Sequence, residues 1–268
     1  MSNAKDSAVT TTRTILMAGD TGAGKTTQFL TLAGKKYAYL FDPNAIRSLR
    51  GYDIDYDEYL PSLVNTAIHS LTKEKGGDKP SVKSSDVYVT FENEFNERLQ
   101  NGFFDTYDWV CFDSATTLLD LMMDRVLTIN GRFGQWPQQD DYGPQMVAFI
   151  NICRNLTAMG KGVYVTGHLD QAKQDKVTKK VGRQLMMSGR LIAKVPLLFS
   201  EVFGADTSID DKGQVTYLLQ TVRGGDFSTV RTSIKGLNPT ENVTIDFSKD
   251  PLGQGLGGIL NWANREGK

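Results

Sequence analysis

The sequence predicts an α/β fold with a mostly parallel central sheet, helices on both faces and a C-terminal antiparallel extension. Short continuous apolar runs, typical of buried parallel strands, alternate with longer segments of helical periodicity. A glycine-rich loop joins the first of these strands directly to a helix, as in other alternating α/β chains. Two strand-like segments late in the chain, 215–222 and 229–234, are separated only by a short turn and predict antiparallel strands.

The other elements follow from apolar runs, helical spacing and turn residues. Strands are predicted at 13–18, 37–41, 87–91, 109–112 and 162–166. Helices are predicted at 24–33, 57–72, 92–100, 115–129, 145–159 and 190–199, with a short docking helix at 259–262. In terms of domains, we expect a disordered segment at 1–11, a core at 12–235 and a C-terminal extension at 236–268.

The composition is that of an ordinary globular protein with an ample core. The chain has 268 residues, 40% of them hydrophobic, and a formal net charge of −1, so any surface for nucleic acid must be local. Both cysteines lie in apolar runs and are expected to be buried, reduced thiols. No transmembrane helix or signal peptide is recognised, which predicts a cytoplasmic protein, in the host cytoplasm if its source is viral.

Residues 19–26 match the pattern G-x-x-x-x-G-K-[ST] without a gap. Because this loop follows a strand and opens a helix, its backbone N–H groups and the helix N-terminus can surround phosphate groups. The lysine can reach the β- and γ-phosphates, and the hydroxyl after it can bind Mg²⁺. The alternative is a glycine turn with no ligand. The predicted ATP-binding residues are Gly19, Asp20, Thr21, Gly22, Ala23, Gly24, Lys25, Thr26 and Thr27.

A bound Mg²⁺ also needs a carboxylate on a neighbouring strand. The apolar run 110–112 leads to Asp113 at the carboxyl end of its strand, where open α/β sheets bind ligands. We therefore predict that Thr26 and Asp113 form the metal site. Alternatively, Asp113 caps the following helix, a role that Ser114 could serve equally well.

His168 ends another predicted strand and is one of only two histidines in the chain. A polar side chain at that position can contact the γ-phosphate and respond to its loss. The alternative is a strand-end histidine without such a role. The other histidine, His69, falls in a helical pattern and is expected to be a surface or packed residue.

The order of these motifs resembles that of the RecA-core P-loop ATPases. More narrowly, the chain looks like the phage-type nucleotide-binding proteins, some of which are single-strand annealing recombinases. The resemblance covers about residues 13–233 and is carried by segments 15–27, 39–51, 107–114, 141–143, 162–169 and 218–232. It implies a RecA-like NTPase fold, an ATPase activity, single-stranded DNA as a partner, and a homo-oligomeric ring or filament.

The chain departs from RecA at the residue that activates water. RecA has a glutamate just past its second strand, whereas the matching residue here is Asn44, whose amide cannot accept a proton as a carboxylate does. Asp42 could replace it, or could simply cap the turn at Pro43. His168 stands where RecA has a glutamine and can still donate to a phosphate oxygen. The candidate catalytic residues are therefore Lys25, Asp42, Asp113 and His168.

The resemblance also implies a cation that is contributed by a neighbouring subunit. Arg223 and Arg231 flank a predicted turn in the region where RecA-core proteins carry such residues. Each is a candidate trans cation, and the alternative is a solvated arginine.

A basic window follows the strand that ends in His168. Between Asp170 and Lys194, seven lysines and arginines oppose two aspartates, which leaves a charge of +5. RecA-like proteins place a DNA-contacting loop here, and such a loop neutralises phosphates with a steep salt dependence. The window has no aromatic residue for base stacking and could instead keep a loop soluble. The loop at 136–142 is a second candidate for DNA contact. The predicted DNA-binding residues are Lys173, Lys176, Lys179, Lys180, Arg183 and Arg190.

Four functions fit these features. The preferred one is a DNA-stimulated ATPase that binds single-stranded DNA in phage-type recombination or replication. An ATP-driven translocase or packaging motor would share the site but normally adds a nuclease or pore-loop element. A small-molecule kinase would use the basic window as a lid over the phosphates. A nucleotide-binding assembly protein without turnover would account for Asn44.

Overall fold

The computed structural model describes residues 12–60, 87–170, 173–174, 181–224 and 227–266. The segment 1–11, for which disorder is expected, and His69 lie outside these ranges. The strands are β1 (Thr14–Gly19), β2 (Lys36–Leu40), β3 (Asp55–Glu58), β4 (Trp109–Asp113), β5 (Gly162–His168), β6 (Lys173–Gln174), β7 (Val181–Gly182), β8 (Glu201–Ile209), β9 (Val215–Gln220) and β10 (Thr240–Asn242).

Eight of these strands form one sheet in the order β10-β9-β8-β1-β5-β4-β2-β3. Strand β1 pairs in parallel with β5 and β8, and β2 pairs in parallel with β3 and β4. Strands β9 and β10 join antiparallel at one edge. The predicted mostly parallel sheet with antiparallel C-terminal strands is therefore confirmed. Because β5 lies between β1 and β4, the ends of these three strands meet at one edge.

Helices cover both faces of the sheet because successive strand residues point to opposite sides. Leu16 and Phe112 belong to one apolar cluster, whereas Ile15 and Cys111 belong to the cluster on the other face. Both cysteines are free and buried, as expected. Among the residues described, no helix is long and apolar enough to cross a membrane. The helices are α1 (Lys25–Leu30), α2 (Ile46–Leu49), α3 (Val87–Gln100), α4 (Ala115–Ile129), α5 (Tyr142–Ala158), α6 (Leu191–Lys194) and α7 (Gly255–Glu266).

Several sequence-based elements were wrong. The predicted strand 87–91 is the first part of α3, whose Tyr88, Phe91 and Phe95 are buried on one helical face. Residues 55–58, where a helix was predicted to begin, form the edge strand β3, and 61–86 lie outside the described residues. The predicted helix 190–199 is shorter, because a 3₁₀ turn with Pro196 near its start follows α6.

The antiparallel pair near the C-terminus also differs from the prediction. Strand β8 was not recognised, because Glu201 and Gly204 interrupt its apolar pattern. The antiparallel partner of β8 is β9, whereas the predicted strand 229–234 makes a single bridge, between Val202 and Arg231. That segment is held by side chains instead: the buried Glu201 carboxylate accepts hydrogen bonds from the Thr232 hydroxyl and the Ser233 backbone.

The segment after residue 235 packs against α1. Gln28 donates to the Val243 carbonyl at 2.8 Å and accepts from the Leu256 amide at 2.9 Å. Thr31 makes two further bonds to this segment, to the amides of Gly253 and Gly257. The C-terminal segment therefore packs directly against the core, across the domain boundary expected at residue 235.

Candidate active site

The glycine-rich loop runs from the end of β1 to the start of α1. Gly22 and Gly24 have φ values of 84° and 78°, a conformation that L side chains rarely adopt. A Cβ on Gly24 would also lie 2.9 Å from a ring carbon of Tyr217. Glycine is thus required at Gly24 both by the backbone turn and by the close approach of β9.

The Lys25 side chain lies across this loop. It is 6% exposed, and its Nζ donates to the carbonyls of Gly19 at 2.9 Å and Asp20 at 2.8 Å. Burial lowers the pKa of Lys25, and the nearby carboxylate of Asp113 opposes this effect. The Tyr164 hydroxyl, from β5, donates to the Lys25 carbonyl at 2.6 Å and fixes the start of α1. The ammonium group is therefore placed where phosphate oxygens would replace the two carbonyls.

Thr26 and Asp113 form a pair suited to Mg²⁺. The Thr26 hydroxyl donates to Asp113 Oδ2 at 2.7 Å, and the Thr166 hydroxyl donates to Oδ1. Asp113 is 2% exposed, and this burial raises its pKa. No group of three or more histidine, cysteine or acidic residues that could hold a metal occurs in the described parts of the chain. A hydroxyl and one carboxylate still fit Mg²⁺, which keeps waters and takes phosphate oxygens as ligands.

Asp42 lies at the end of β2 within a polar cluster. Its Oδ2 is 3.0 Å from His168 Nε2, and its Oδ1 accepts hydrogen bonds from the hydroxyls of Ser114, at 2.8 Å, and Thr117. Burial opposes ionisation, but the hydrogen bonds from these three residues lower the pKa of Asp42 overall. The carboxylate is therefore an ionised acceptor that joins β2, α4 and β5. Ser114 is the N-cap of α4, so the helix-capping alternative applies to Ser114 rather than to Asp113.

A cavity of about 360 Å³ opens above the loop and brings these groups together. Asn44 lies on its wall with a positive φ of 68°. Sequence reasoning missed the part of the wall that comes from the C-terminal third of the chain, because no local pattern marks those residues. The residues that line the cavity are Thr21, Gly22, Gly24, Lys25, Thr26, Thr27, Gln28, Asp42, Pro43, Asn44, Ala45, Ser48, Asp113, His168, Tyr217, Ile245 and Phe247.

The candidate DNA-binding and trans cations lie in different parts of the structure. Arg183 lies against the glycine-rich loop, where its guanidinium binds the Asp20 carboxylate. Arg190 is exposed at the start of α6, and Lys173 lies in β6. Of the trans candidates, Arg223 is exposed after β9, whereas Arg231 donates to the carbonyls of Leu197 and Phe199. The predicted DNA-binding residues outside the described ranges are Lys176, Lys179 and Lys180.

A protein-family profile matches most of this chain. The profile of the AAA domain matches residues 11–229, which include the loop, Asp42, Asp113 and His168. The chain belongs to the AAA domain family. Membership implies that the glycine-rich loop is an ATP-binding phosphate loop. A search of curated proteins found no match.

Three solved structures are similar to this chain at low sequence identity. The flagellar accessory protein FlaH of Methanocaldococcus jannaschii shares 10% identity over 87% of this chain and 85% of its own, with a TM-score of 0.40. A KaiC-like protein of Pyrococcus horikoshii OT3 shares 14% over 87% and 86%, with a TM-score of 0.43. The Legionella pneumophila ATPase DotB shares 10% over 96% of this chain and 52% of its own, with a TM-score of 0.29.

Proposed function

We propose that this protein is a Mg²⁺-dependent ATPase that binds single-stranded DNA, in recombination or replication of the phage type. The observation that carries the ATPase proposal is the Asp42 carboxylate, which lies on the same cavity wall as Lys25, Thr26 and Asp113. It supplies the ionised acceptor that Asn44 lacks. The proposal includes a homo-oligomer, with Arg223 or Arg231 as the trans cation.

Each residue has a distinct role in this proposal. Lys25 and the loop amides bind the phosphates, while Thr26 and Asp113 hold Mg²⁺, which neutralises charge on the transferred phosphoryl group. Asp42 orients the attacking water, and its hydrogen bonds from Ser114 and Thr117 fix the carboxylate. His168 exchanges its contact with Asp42 for a phosphate oxygen and so registers whether the γ-phosphate is present.

A groove on the same chain supports single-stranded DNA as the partner. It has a volume of about 530 Å³ and lies between Tyr142, at the start of α5, and Arg190. The two segments that the sequence singled out for DNA contact thus share one groove. Trp136 precedes it and is 89% exposed, which suits stacking on an unpaired base. The loop that carries Trp136 is held by the buried Asp141, which accepts from Asn130 at 2.8 Å and from Arg132.

ATP hydrolysis by the purified protein tests the proposal. The rate is measured with Mg²⁺, with and without single-stranded DNA, at two salt concentrations. We expect stimulation by DNA that fades as salt rises, because phosphate contacts release counterions. ADP formation that requires a small-molecule acceptor would identify a kinase instead.

A nucleotide-binding assembly protein without turnover is the second candidate. It is favoured by the three side chains that already bind the Asp42 carboxylate, which leave it little capacity to hold a water. In that case ATP binds in the same assay, but no phosphate is released with or without DNA.

A further inference from the structure

The Asp20–Arg183 pair joins the phosphate loop to the segment that starts at the end of β5, called the ribbon here, whose described residues are 168–170, 173–174 and 181–186. Arg183 Nη1 donates to Asp20 Oδ2 at 2.6 Å, and Nη2 donates to Oδ1, so the contact is bidentate. The Asp20 side chain is 55% exposed and that of Arg183 is 20% exposed. Asp20 precedes Thr21, which lines the cavity, and its own carbonyl accepts from Lys25. The arginine therefore lies beside the residues that would hold phosphates.

Asp20 places a carboxylate within the loop that is expected to bind a polyanion. Asp20 would repel the phosphates of ATP if it were not neutralised. The hydrogen bond from Arg183 lowers the pKa of Asp20, so the carboxyl stays ionised and paired. Guanidinium groups form the same bidentate contact with phosphate as with carboxylate. A terminal phosphate is thus a direct competitor for Arg183.

Arg183 and His168 belong to the same ribbon. Leu169 and Leu185 form an antiparallel bridge, and the Met186 amide donates to the His168 carbonyl at 2.8 Å. His168 contacts Asp42 on the cavity wall, while Arg183 contacts Asp20. The ribbon therefore carries two basic side chains, His168 and Arg183. Each contacts a carboxylate near the cavity.

We infer that Arg183 is a terminal-phosphate ligand supplied by the same chain, held on Asp20 until ATP binds and then transferred to the γ-phosphate. The exchange would couple the phosphate loop to the basic window in which Arg183 lies. This inference rests on the proposed ATP site and deepens it. It assigns Arg183 to the nucleotide rather than directly to DNA.

Binding measurements on four proteins test it: wild type, Asp20→Asn, Arg183→Gln and the double variant. Affinities for ADP and for adenylyl imidodiphosphate, a non-hydrolysable ATP analogue, are measured by calorimetry with Mg²⁺ and without DNA. We expect Arg183→Gln to weaken binding of the analogue about 10-fold or more and that of ADP less than about 2-fold, because a charge-assisted contact to the third phosphate is lost. Asp20→Asn, which removes the competitor, should tighten binding of the analogue several-fold.

The double variant decides between transfer and simple neutralisation. If Arg183 moves to the phosphate, Arg183→Gln still weakens binding of the analogue in the Asp20→Asn background. If Arg183 only neutralises Asp20, the loss disappears in that background and the inference is overturned. Equal weakening of ADP and the analogue would also overturn it. Arg154→Gln, an exposed change of the same charge on α5, is the control. Failure of the wild type to bind either nucleotide would instead refute the proposed ATP site.

Discussion

Thr26 and Asp113 are 87 residues apart in the sequence, yet the Thr26 hydroxyl donates a 2.7 Å hydrogen bond to the Asp113 carboxylate. The contact crosses the end of β5, whose Thr166 binds the other oxygen of the same carboxylate. The start of α1 and the ends of β4 and β5 are therefore joined through one buried carboxylate. If Mg²⁺ binds as proposed, it must replace a hydrogen bond already present between the two side chains that would hold it.

Replacing Lys25 by alanine should abolish measurable ATP binding. The change removes the ammonium group that lies across the loop carbonyls of Gly19 and Asp20, and charge-assisted hydrogen bonds are worth about 1.5–3 kcal/mol each. Calorimetric titration with ATP and Mg²⁺ measures the effect. The matched control is Lys212→Ala, at an exposed position on the β8–β9 turn. An unchanged ATP affinity in Lys25→Ala would contradict the phosphate-loop assignment.

Asp113→Asn should remove most of the effect of Mg²⁺ on ATP binding. The variant keeps the shape of the side chain but loses its charge, so we expect the Mg²⁺-dependent gain in affinity to fall about 10-fold. Because burial raises the pKa of Asp113, the wild-type protein should lose this gain, as pH falls, at a higher pH than an ordinary aspartate would. Protonation removes the anionic ligand, so the sign is a loss at low pH. A wild-type pH profile that Asp113→Asn reproduces would exclude Asp113 as the titrating group.

Gln28→Ala should destabilise the fold by about 2–4 kcal/mol. Gln28 is 2% exposed, and its loss leaves the Val243 carbonyl and the Leu256 amide without their side-chain partner. Urea unfolding measures the free energy of unfolding, and Gln214→Ala, on the exposed β8–β9 turn, is the control. A loss below about 0.5 kcal/mol would mean that the C-terminal segment is not anchored through Gln28.

Asp124→Asn should stabilise the protein at neutral pH and have little effect below about pH 4. Burial, together with the neighbouring Asp120 carboxylate, raises the pKa of Asp124 from 3.8 to about 6. A carboxyl with a raised folded pKa costs stability progressively as the pH rises from the unfolded pKa of 3.8 to the folded pKa of about 6, because the unfolded chain ionises first, and the cost is complete above that. Because Asp124 is partly exposed and solvent screens its charge, we expect a gain of only about 1 kcal/mol above pH 6, measured by thermal unfolding across pH. A gain that does not change with pH would show that ionisation of Asp124 is not its cause.

Charge reversal of Lys179 and Lys180 should weaken binding of single-stranded DNA, most strongly at low salt. Fluorescence anisotropy with a labelled oligonucleotide, at two salt concentrations, measures the change. Lys212→Glu provides a charge-reversed control outside the basic window. Unchanged DNA affinity would mean that the window serves solubility alone.

The residues at the glycine-rich loop could be predicted because local sequence determines their chemistry. A strand, a glycine turn and a helix lie within 17 consecutive residues, Thr14–Leu30, so the loop needs no distant contact to form. Asp113 and His168 were found because each follows an apolar strand, and parallel strands end at one edge. Their roles in catalysis stay predictions.

The features that were missed depend on contacts between distant segments. Residues 87–91 are rich in β-branched and aromatic residues, which favours a strand locally, whereas the structure has them in α3 with Phe91 and Phe95 packed in the apolar cluster. Tyr217 and Phe247 both reach the cavity because residues 243–247 lie alongside β9. The Val243 amide donates to the Tyr217 carbonyl there. The pairing of Arg183 with Asp20 joins residues 163 positions apart, which no local pattern could show.

The attachment of the C-terminal segment to α1 has an evolutionary consequence. The AAA domain match ends at residue 229, but Val243 and Leu256 bind Gln28, and Phe247 lines the cavity. A gene exchange with breakpoints at the edges of that match would transfer the glycine-rich loop, Asp42, Asp113 and His168. It would leave Gln28 without its two backbone partners. We therefore expect residues 11–229 and the C-terminal segment to be inherited together. Substitutions at Gln28 should be accompanied by changes around residues 243–257.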